Sequence, residues 1–266
     1  MARIIVTTSG KGGVGKTTIT ANLGSAIARL GYKIALVDAD FGLRNLDLLL
    51  GLEQRIVYTA IDVLEGTCTI EKALVRDKRQ PNLVLLPAAQ NRTKEAISPE
   101  QMKELVSQLE KQFDYILIDC PAGIEMGFRN AIAAAQEAII VTTPEMAAVR
   151  DADRVVGLLE SEEVKKIHLI VNRVRPQMIQ LNQMISVEDI LEILVVPLVG
   201  IVPDDERIII STNRGEPLVL EEPPSIPAIA FNNIARRLEG QDIPFLDLMA
   251  AHDNLITRIR RRFFRN

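Results

Sequence analysis

Short runs of apolar, mostly β-branched residues recur along the chain, and longer stretches with helical spacing separate them. The runs are apolar without alternation, which is typical of strands that are buried on both faces. Helical stretches between such strands imply parallel crossover connections. The pattern therefore predicts an α/β fold with a doubly wound, mostly parallel sheet and helices on both faces. The predicted strands are Arg3 to Thr8, Lys33 to Asp38, Asn82 to Leu86, Tyr115 to Asp119, Ala138 to Thr142, His168 to Asn172 and Leu198 to Val202.

Helix start signals support this alternation of strands and helices. Ser98-Pro99-Glu100-Gln101 combines an N-cap serine, a proline at the first helical position and a reciprocal glutamine, and Ser186 to Asp189 has a similar form. The proline-dense stretch 221–227 predicts an ordered connection into a last domain helix, Ala228 to Leu238. We therefore predict one domain over residues 1–245 and a separate C-terminal helix over 246–266.

Composition narrows the class of protein. The 266 residues are 47% hydrophobic and 25% charged, which excludes wholesale disorder. The net charge of −4 argues against a protein that mainly coats nucleic acid, so no specific nucleic-acid partner is expected. No apolar stretch reaches the roughly 18 residues of a membrane span, and the N-terminus lacks a signal-like pattern, which predicts an intracellular protein. Two cysteines and two histidines are too few for a disulfide framework or a zinc site within one chain.

A phosphate-binding loop follows the first predicted strand. The segment from Gly10 to Thr17 reads GKGGVGKT, matches G-x-x-x-x-G-K-[ST] and opens a predicted helix, Thr17 to Leu30. A strand, such a loop and a helix in this order are typical of the P-loop nucleotide triphosphatase fold, in which backbone N–H groups cradle phosphate oxygens at a positive helix end. Lys16 is predicted to contact the β and γ phosphates, and the Thr17 hydroxyl to ligate Mg²⁺. The predicted nucleotide-binding residues here are Gly10, Lys11, Gly12, Gly13, Val14, Gly15, Lys16, Thr17 and Thr18.

Three carboxylates follow predicted strands. Asp38 and Asp40 come at and after the end of the second strand, and Asp119 ends the fourth. Parallel strands bring their carboxyl ends to the edge that carries the phosphate loop, so all three can face one bound phosphate. Mg²⁺ favours few carboxylates and several waters. We predict a Mg²⁺ site formed by Thr17, Asp38 and Asp119, with Asp119 acting through water.

Lys11 is a second lysine in a loop that ordinarily needs only one. It is either a solvated loop residue or a charge that reaches the nucleotide of a partner subunit, like an arginine finger acting in trans. The second alternative makes ATP a component of a dimer interface.

These motifs carry a family resemblance that covers nearly the whole chain. The segment from Lys11 to Thr18 resembles the deviant Walker A motif of the ParA/MinD ATPases. The segments 37–47, 119–125 and 149–154 resemble the MinD branch of that family, in its cyanobacterial and plastid form. The resemblance implies an ATP-dependent sandwich dimer in which Lys11 crosses the interface.

The same resemblance implies roles and partners. Lys11, Lys16 and Asp40 are the catalytic residues that it implies, with Asp40 positioning the attacking water. The implied partners are a MinC-like division inhibitor and a MinE-like activator. Arg44, Asn45 and Asp151 are expected near a partner-binding or dimer surface.

The choice of base rests on a separate argument. Guanine-specific sites commonly place Asn-Lys-x-Asp after a strand, whereas this chain has Asn172-Arg173-Val174-Arg175 with no aspartate. Adenine, and hence ATP, is the better match, with Asn172, Arg173, Pro203 and Asp204 near the base. The alternative is that Asn172 merely forms a turn.

The C-terminal segment has the pattern of a basic amphipathic helix. At about 100° per residue, Leu255, Ile256, Ile259 and Phe263 share one face, with arginines opposite. Residues 250–266 contain five arginines and one aspartate, a net charge of +4 that leaves −8 for the rest of the chain. An anchor on an anionic membrane surface is favoured over a partner helix, a nucleic-acid arm or a docked helix. The predicted membrane-contacting residues are Leu255, Ile256, Arg258, Ile259, Arg261, Arg262, Phe263 and Phe264.

Three functions remain open from the sequence. The first is a regulatory, membrane-cycling ATPase in the cytoplasm, peripheral to the inner face of the cell membrane, or in the stroma and at the inner envelope of a plastid. The second is a ParA-like partition ATPase that binds DNA non-specifically through its arginines, although such an arm has no use for an apolar stripe. The third, an iron–sulfur reductase or cluster carrier, requires cysteines at a dimer axis.

Overall fold

A computed structural model of the chain describes residues 2–90 and 97–248. The strands in these residues are β1 (Arg3–Thr8), β2 (Ile34–Asp38), β3 (Val75–Arg76), β4 (Leu83–Leu86), β5 (Tyr115–Asp119), β6 (Glu137–Thr142), β7 (Lys166–Val174) and β8 (Leu198–Pro203). The α-helices are α1 (Lys16–Arg29), α2 (Leu46–Leu49), α3 (Ala60–Leu64), α4 (Ile70–Ala73), α5 (Pro99–Leu109), α6 (Met126–Ile132), α7 (Met146–Ser161), α8 (Pro176–Gln180), α9 (Val187–Leu194), α10 (Glu206–Arg214) and α11 (Ile226–Leu238). Short 3₁₀ helices cover Glu53–Arg55 and Leu218–Leu220.

The strands form a single sheet in the order β3-β4-β2-β5-β1-β6-β7-β8. All neighbouring pairs are parallel except β3 with β4, so the predicted doubly wound, mostly parallel sheet is confirmed. The seven predicted strands match the seven long ones. The sequence pattern missed β3 because it has only two residues, one of them exposed.

Helices cover both faces of the sheet. One core layer packs α1, α2 and α11 against the sheet, and the other packs α5, α6, α7 and α9 against the opposite face. The strands β2, β4, β5 and β6 are buried along their whole lengths, which explains why they read as continuous apolar runs rather than alternating ones.

The predicted helix caps are present. Ser98 and Gln101 form a capping box at the start of α5, and the Ser186 hydroxyl accepts from the Asp189 amide at the start of α9. The last domain helix begins at Ile226, two residues before the predicted Ala228, because Ser225 stands at the N-cap and Pro227 lies within the first turn. Among the described helices, none is both long and apolar enough to cross a membrane.

Candidate nucleotide-binding site

The phosphate loop joins β1 to α1 and is held on two sides. Gly15, the N-cap of α1, has a φ of 100°, and a Cβ there would lie 2.3 Å from the Asn172 side-chain nitrogen. A Cβ on Gly10 would lie 2.3 Å from the Asp151 carbonyl oxygen. Both glycines are therefore required by close approach, and the loop is wedged between the end of β7 and the start of α7.

The positive end of α1 faces the space above this loop. Lys16 is the first residue of the helix and is only 8% exposed, with no acidic side chain in the first turn. The first amides of a helix have no intrahelical acceptor, and the helix dipole adds positive potential there. Residues 10–18 thus form a continuous turn whose amides and helix end suit an anion.

Two of the three predicted carboxylates lie side by side on adjacent strands. Asp38 of β2 and Asp119 of β5 are register partners, and both are buried. Burial raises the pKa of Asp119 to about 6, against the lowering effect of the Lys16 charge and of hydrogen bonds from Thr17 and Thr20. Burial and the neighbouring Asp119 charge raise the pKa of Asp38 well above its usual range. A bound cation would relieve this unfavourable concentration of negative charge.

Asp38 also shapes the loop that carries the third carboxylate. Its two oxygens accept the backbone N–H groups of Asp40, at 2.9 Å, and of Leu46, at 3.3 Å. The charge of Asp40 in turn raises the pKa of Asp119, which places Asp40 within electrostatic range of the buried pair. The structure therefore brings Asp38, Asp40 and Asp119 to one edge of the sheet, beside Lys16.

The donor set fits Mg²⁺ held largely by water and phosphate. Within residues 2–90 and 97–248, no group of three His, Cys, Asp or Glu side chains could enclose a metal ion. Thr17, Asp38 and Asp119 instead offer one hydroxyl and two carboxylates beside the phosphate loop, a set that suits Mg²⁺ on a nucleotide.

Lys11 lies at the outer rim of the loop. Its side chain is 44% exposed, and its Nζ lies 3.3 Å from an oxygen of Glu145, the N-cap residue of α7. The loop itself is braced by the Ser9 hydroxyl, which donates to the Lys11 carbonyl at 2.8 Å. The lysine ammonium is therefore displayed at the surface.

A cavity of about 560 Å³ opens beside the loop, and three of the four predicted base-binding residues line it: Asn172, Arg173 and Asp204. Asn172 donates from Nδ2 to the Val14 carbonyl at 2.8 Å, and its buried Oδ1 has no hydrogen-bond partner among the described residues. Such an oxygen suits the amino group of adenine. At the rim, Arg175 donates to Asp204 at 2.5 Å.

A distortion of β7 produces this arrangement. The β7–β8 register shifts between Val171 and Val174, and Arg173 in the gap has a φ of 58°. Arg173 also lines the cavity, whereas Pro203 ends β8 directly before Asp204 and is not among the lining residues. Bulges of this kind re-aim side chains beside binding sites.

The three predicted partner residues lie close to the same edge. Arg44 has a φ of 42°, and its Nε lies 2.8 Å from the buried carboxylate of Asp47. Asn45 is the exposed N-cap residue of α2. Asp151, on α7, packs its backbone against Gly10 and places its carboxylate 3.7 Å from Arg154. All three therefore lie on segments that begin at the edge of the sheet that carries the phosphate loop.

A second cavity, of about 520 Å³, lies away from this edge and contains several arginines. Arg29 donates to the Val219 carbonyl, Arg79 to the Gly215 carbonyl and to Asp77, and Arg207 to Asp205. Because protein acceptors already engage three of the four arginines that line it, this cavity is a poorer anion site than the phosphate loop.

Comparison with known proteins agrees with this geometry. Residues 5–218 match the family model described as the CobQ/CobB/MinD/ParA nucleotide binding domain. The chain is 78% identical over 262 residues to the septum site-determining protein MinD of Synechocystis sp., with 98% of each chain covered. The chain belongs to the MinD family. Its fold is that of the P-loop nucleotide triphosphatases of the deviant Walker A class, as predicted.

Two solved structures place this MinD-family chain among its relatives. The MinC:MinD cell division protein complex of Aquifex aeolicus contains a chain that is 51% identical, with a TM-score of 0.85 and coverage of 91% and 98%. The septum site-determining protein MinD of Pyrococcus horikoshii, complexed with Mg-ADP, is 35% identical, with a TM-score of 0.81 and coverage of 90% and 96%.

The cysteines of the MinD-family chain do not suit a surface cluster. Cys120 is buried directly after Asp119, and burial raises the pKa of its thiol to about 12. Cys68 is half-buried in the connection between α3 and α4. A buried thiol of raised pKa is a poor source of the thiolate that an iron–sulfur cluster needs.

Sequence reasoning missed three side chains at this site. Thr20, whose hydroxyl donates to Asp119 at 2.9 Å, could have been found because it lies one helical turn after Lys16. Glu145 follows β6, the neighbour of β1, so the strand order predicts its position beside the loop. Arg175 could not have been found, because its approach to Asp204 depends on the bulge. The predicted membrane-contacting residues and the separate helix at 246–266 fall wholly or mostly outside the described residues.

Proposed function

We propose that this chain is a Mg²⁺-dependent ATPase that is activated by dimerisation and cycles between solution and membrane. The observation that carries the proposal is the joint placement of Lys16, Asp119 and the residues of the phosphate loop at the positive end of α1. The family model, which describes a nucleotide-binding domain, supports the same conclusion.

The residues divide the work of hydrolysis. Lys16 and the loop amides neutralise charge on the β and γ phosphates, and Asp40 orients the water that attacks the γ phosphorus. The bond from that phosphorus to the bridging oxygen breaks, which leaves ADP and phosphate. Mg²⁺, when bound, would supply further neutralisation of the phosphate charge, and Thr17, Asp38 and Asp119 would hold it directly or through water.

Lys11 supplies the dependence on dimerisation. Its ammonium is exposed at the rim and, within the described part of the chain, pairs at the surface with Glu145. Exposed pairs of this kind contribute little stability, so the lysine is available to enter the site of a second copy. A positive charge supplied in trans would couple catalysis to dimer formation.

Membrane attachment follows from the C-terminal sequence. Each arginine near an anionic surface contributes about 1 kcal/mol, and each fully buried apolar side chain roughly 1.5–3 kcal/mol. Ordering costs about 1–2 kcal/mol per residue, so one tail would bind marginally. Two tails on an ATP-bound dimer gain affinity by about 10²–10⁴ through effective concentration. ATP binding would therefore favour attachment and hydrolysis would favour release.

The cellular role is inferred from the names of the relatives. A relative at 78% identity is a septum site-determining protein, and a 51% identical chain occurs in a MinC:MinD complex. We infer that this chain takes part in division-site selection, recruits a MinC-like inhibitor and is released after hydrolysis stimulated by a MinE-like activator. Its location would be the inner face of the cell membrane, or of the plastid inner envelope.

Recruitment can be tested with three components. Vesicles containing anionic lipid, the chain and a MinC protein would be sedimented with ATP or ADP, using the full chain and a chain ending at Leu248. We expect MinC in the pellet only with ATP and the full chain. MinC recruitment by ADP or by the shortened chain would contradict it.

A further inference from the structure

The chain between α11 and the C-terminal tail is packed against the domain. Gly240, with a φ of 78°, turns the chain after α11, and the following residues form no helix or strand until Leu248. Leu246 packs against the core layer that contains α1 and α11, whereas Leu248 packs against the layer on the opposite face of the sheet. Residues 243–248, which we call the strap, thus run from one layer to the other.

The Arg237 side chain makes several contacts with the strap. The Arg237 guanidinium donates from Nε to the Ile243 carbonyl at 2.7 Å and from one terminal nitrogen to the Pro244 carbonyl at 2.8 Å. Its other terminal nitrogen donates to the Val199 carbonyl of β8 at 3.0 Å. The same group stacks 4.1 Å from the centre of the Phe245 ring, which is 44% exposed.

This arrangement uses properties that only arginine has. The planar guanidinium presents donors in a fixed fork and stacks on an aromatic face at the same time. One residue therefore ties the last helix, the edge strand β8 and the strap together. Because β8 is the last strand in the sheet order, the strap passes the edge of the sheet that would otherwise be open.

We propose that the strap fixes the point at which the basic amphipathic tail leaves the domain, and that Arg237 is the positioning residue that holds it. The inference rests on the proposed membrane attachment. A tether fixed at Leu248 restricts each tail to a smaller volume than a linker that starts at Gly240. Two tails of a dimer then meet one membrane surface at a higher effective concentration.

The absence of tryptophan from the chain makes a direct test possible. F245W introduces a single tryptophan at the stacking position, which can be excited selectively over the three tyrosines, and keeps an aromatic face for the guanidinium. R237A and R237K would be compared in this background with R236A, because Arg236 is the neighbouring arginine and its guanidinium donates to the exposed Gln241 side chain instead of to the strap. We expect acrylamide quenching to rise at least about twofold in R237A and R237K but not in R236A, as stacking is lost.

The second measurement is full-chain binding to vesicles of phosphatidylglycerol and phosphatidylcholine with a non-hydrolysable ATP analogue. R237A and R237K should bind at least about threefold more weakly than wild type, with unchanged ATPase activity in the absence of lipid, and R236A should match wild type. R237K decides the question should R237A fail to fold. Unchanged quenching, or unchanged lipid affinity, in the R237 variants would overturn the proposal. Absence of vesicle binding by wild type would instead refute the membrane function, while the quenching measurement would still decide whether Arg237 holds the strap.

Discussion

The Asn172 side chain connects the base cavity to the phosphate loop, because its Nδ2 donates to the Val14 carbonyl at 2.8 Å. Gly15, next to Val14, has no room for a Cβ beside the same nitrogen. The end of β7 and the start of α1 therefore hold each other in place, and the position of the base is coupled to that of the phosphates.

This coupling predicts that N172A weakens ATP binding about tenfold, the equivalent of about 1.4 kcal/mol, and narrows the preference for ATP over GTP. The loop loses a brace and the adenine amino group loses an acceptor. N232A is a matched control, because Asn232 makes a similar bond to the Ala228 carbonyl within α11. Titration calorimetry with both nucleotides would measure the effect. If N172A and N232A lost the same affinity for ATP, the role of Asn172 would be only structural.

A second prediction concerns the pH dependence of stability in the nucleotide-free chain. The pKa of Asp119 is raised from 3.8 to about 6, chiefly by burial. The folded state therefore binds a proton more tightly than the unfolded state, and stability is lost as pH rises from about 4 through 6. D119N removes this loss, so its unfolding free energy relative to wild type should rise by up to about 3 kcal/mol between pH 4 and 7. Urea unfolding across this range measures the difference, and a constant difference would refute the assignment.

The phosphate loop and Asp40 should have separable roles. K16A should lose nucleotide-dependent dimerisation, because the lysine is the main charge at the phosphates. D40A should still bind ATP and dimerise but hydrolyse it at least about tenfold more slowly. K33A, an exposed lysine before β2 at the opposite edge of the sheet, is the control. Size-exclusion chromatography measures dimerisation, and a phosphate-release assay measures hydrolysis. Wild-type turnover by D40A would show that another group orients the water.

Mixing two inactive variants tests the trans role of Lys11. In a heterodimer of K11A and D40A, the site on the K11A subunit keeps its own Asp40 and receives Lys11 from the D40A subunit. Turnover should therefore reappear on mixing, although each variant alone is nearly inactive. A mixture no more active than its components would show that Lys11 acts within its own subunit or not at all.

Much of this fold could be predicted from local sequence. The strands β1 and β5 match their predicted bounds because continuous apolar runs end at charged or polar residues. Because the carboxyl ends of parallel strands lie at one edge of the sheet, Asp38 and Asp119 are then expected beside the phosphate loop without further information. The short helices α2 to α4 and the strand β3 were not predicted, since segments of two to five residues carry too little periodicity.

The parts of the site that escaped prediction depend on long-range geometry. The Lys11–Glu145 pair joins residues that are 134 positions apart, and the bulge at Arg173 is a register shift between β7 and β8. The Arg237 contacts likewise require β8 and the strap to be in place. Packing between distant segments, rather than local preference, decides each of these positions.

The central claim is that ATP controls membrane attachment, and sedimentation with anionic vesicles tests it most directly. The full chain would be compared in ATP, in ADP and in ATP with excess DNA, beside a chain ending at Leu248. The account predicts strong sedimentation of the full chain with ATP, little with ADP, no effect of DNA and none of the shortened chain in the pellet. Equal sedimentation in ATP and ADP would contradict it, as would salt-sensitive DNA binding without lipid binding.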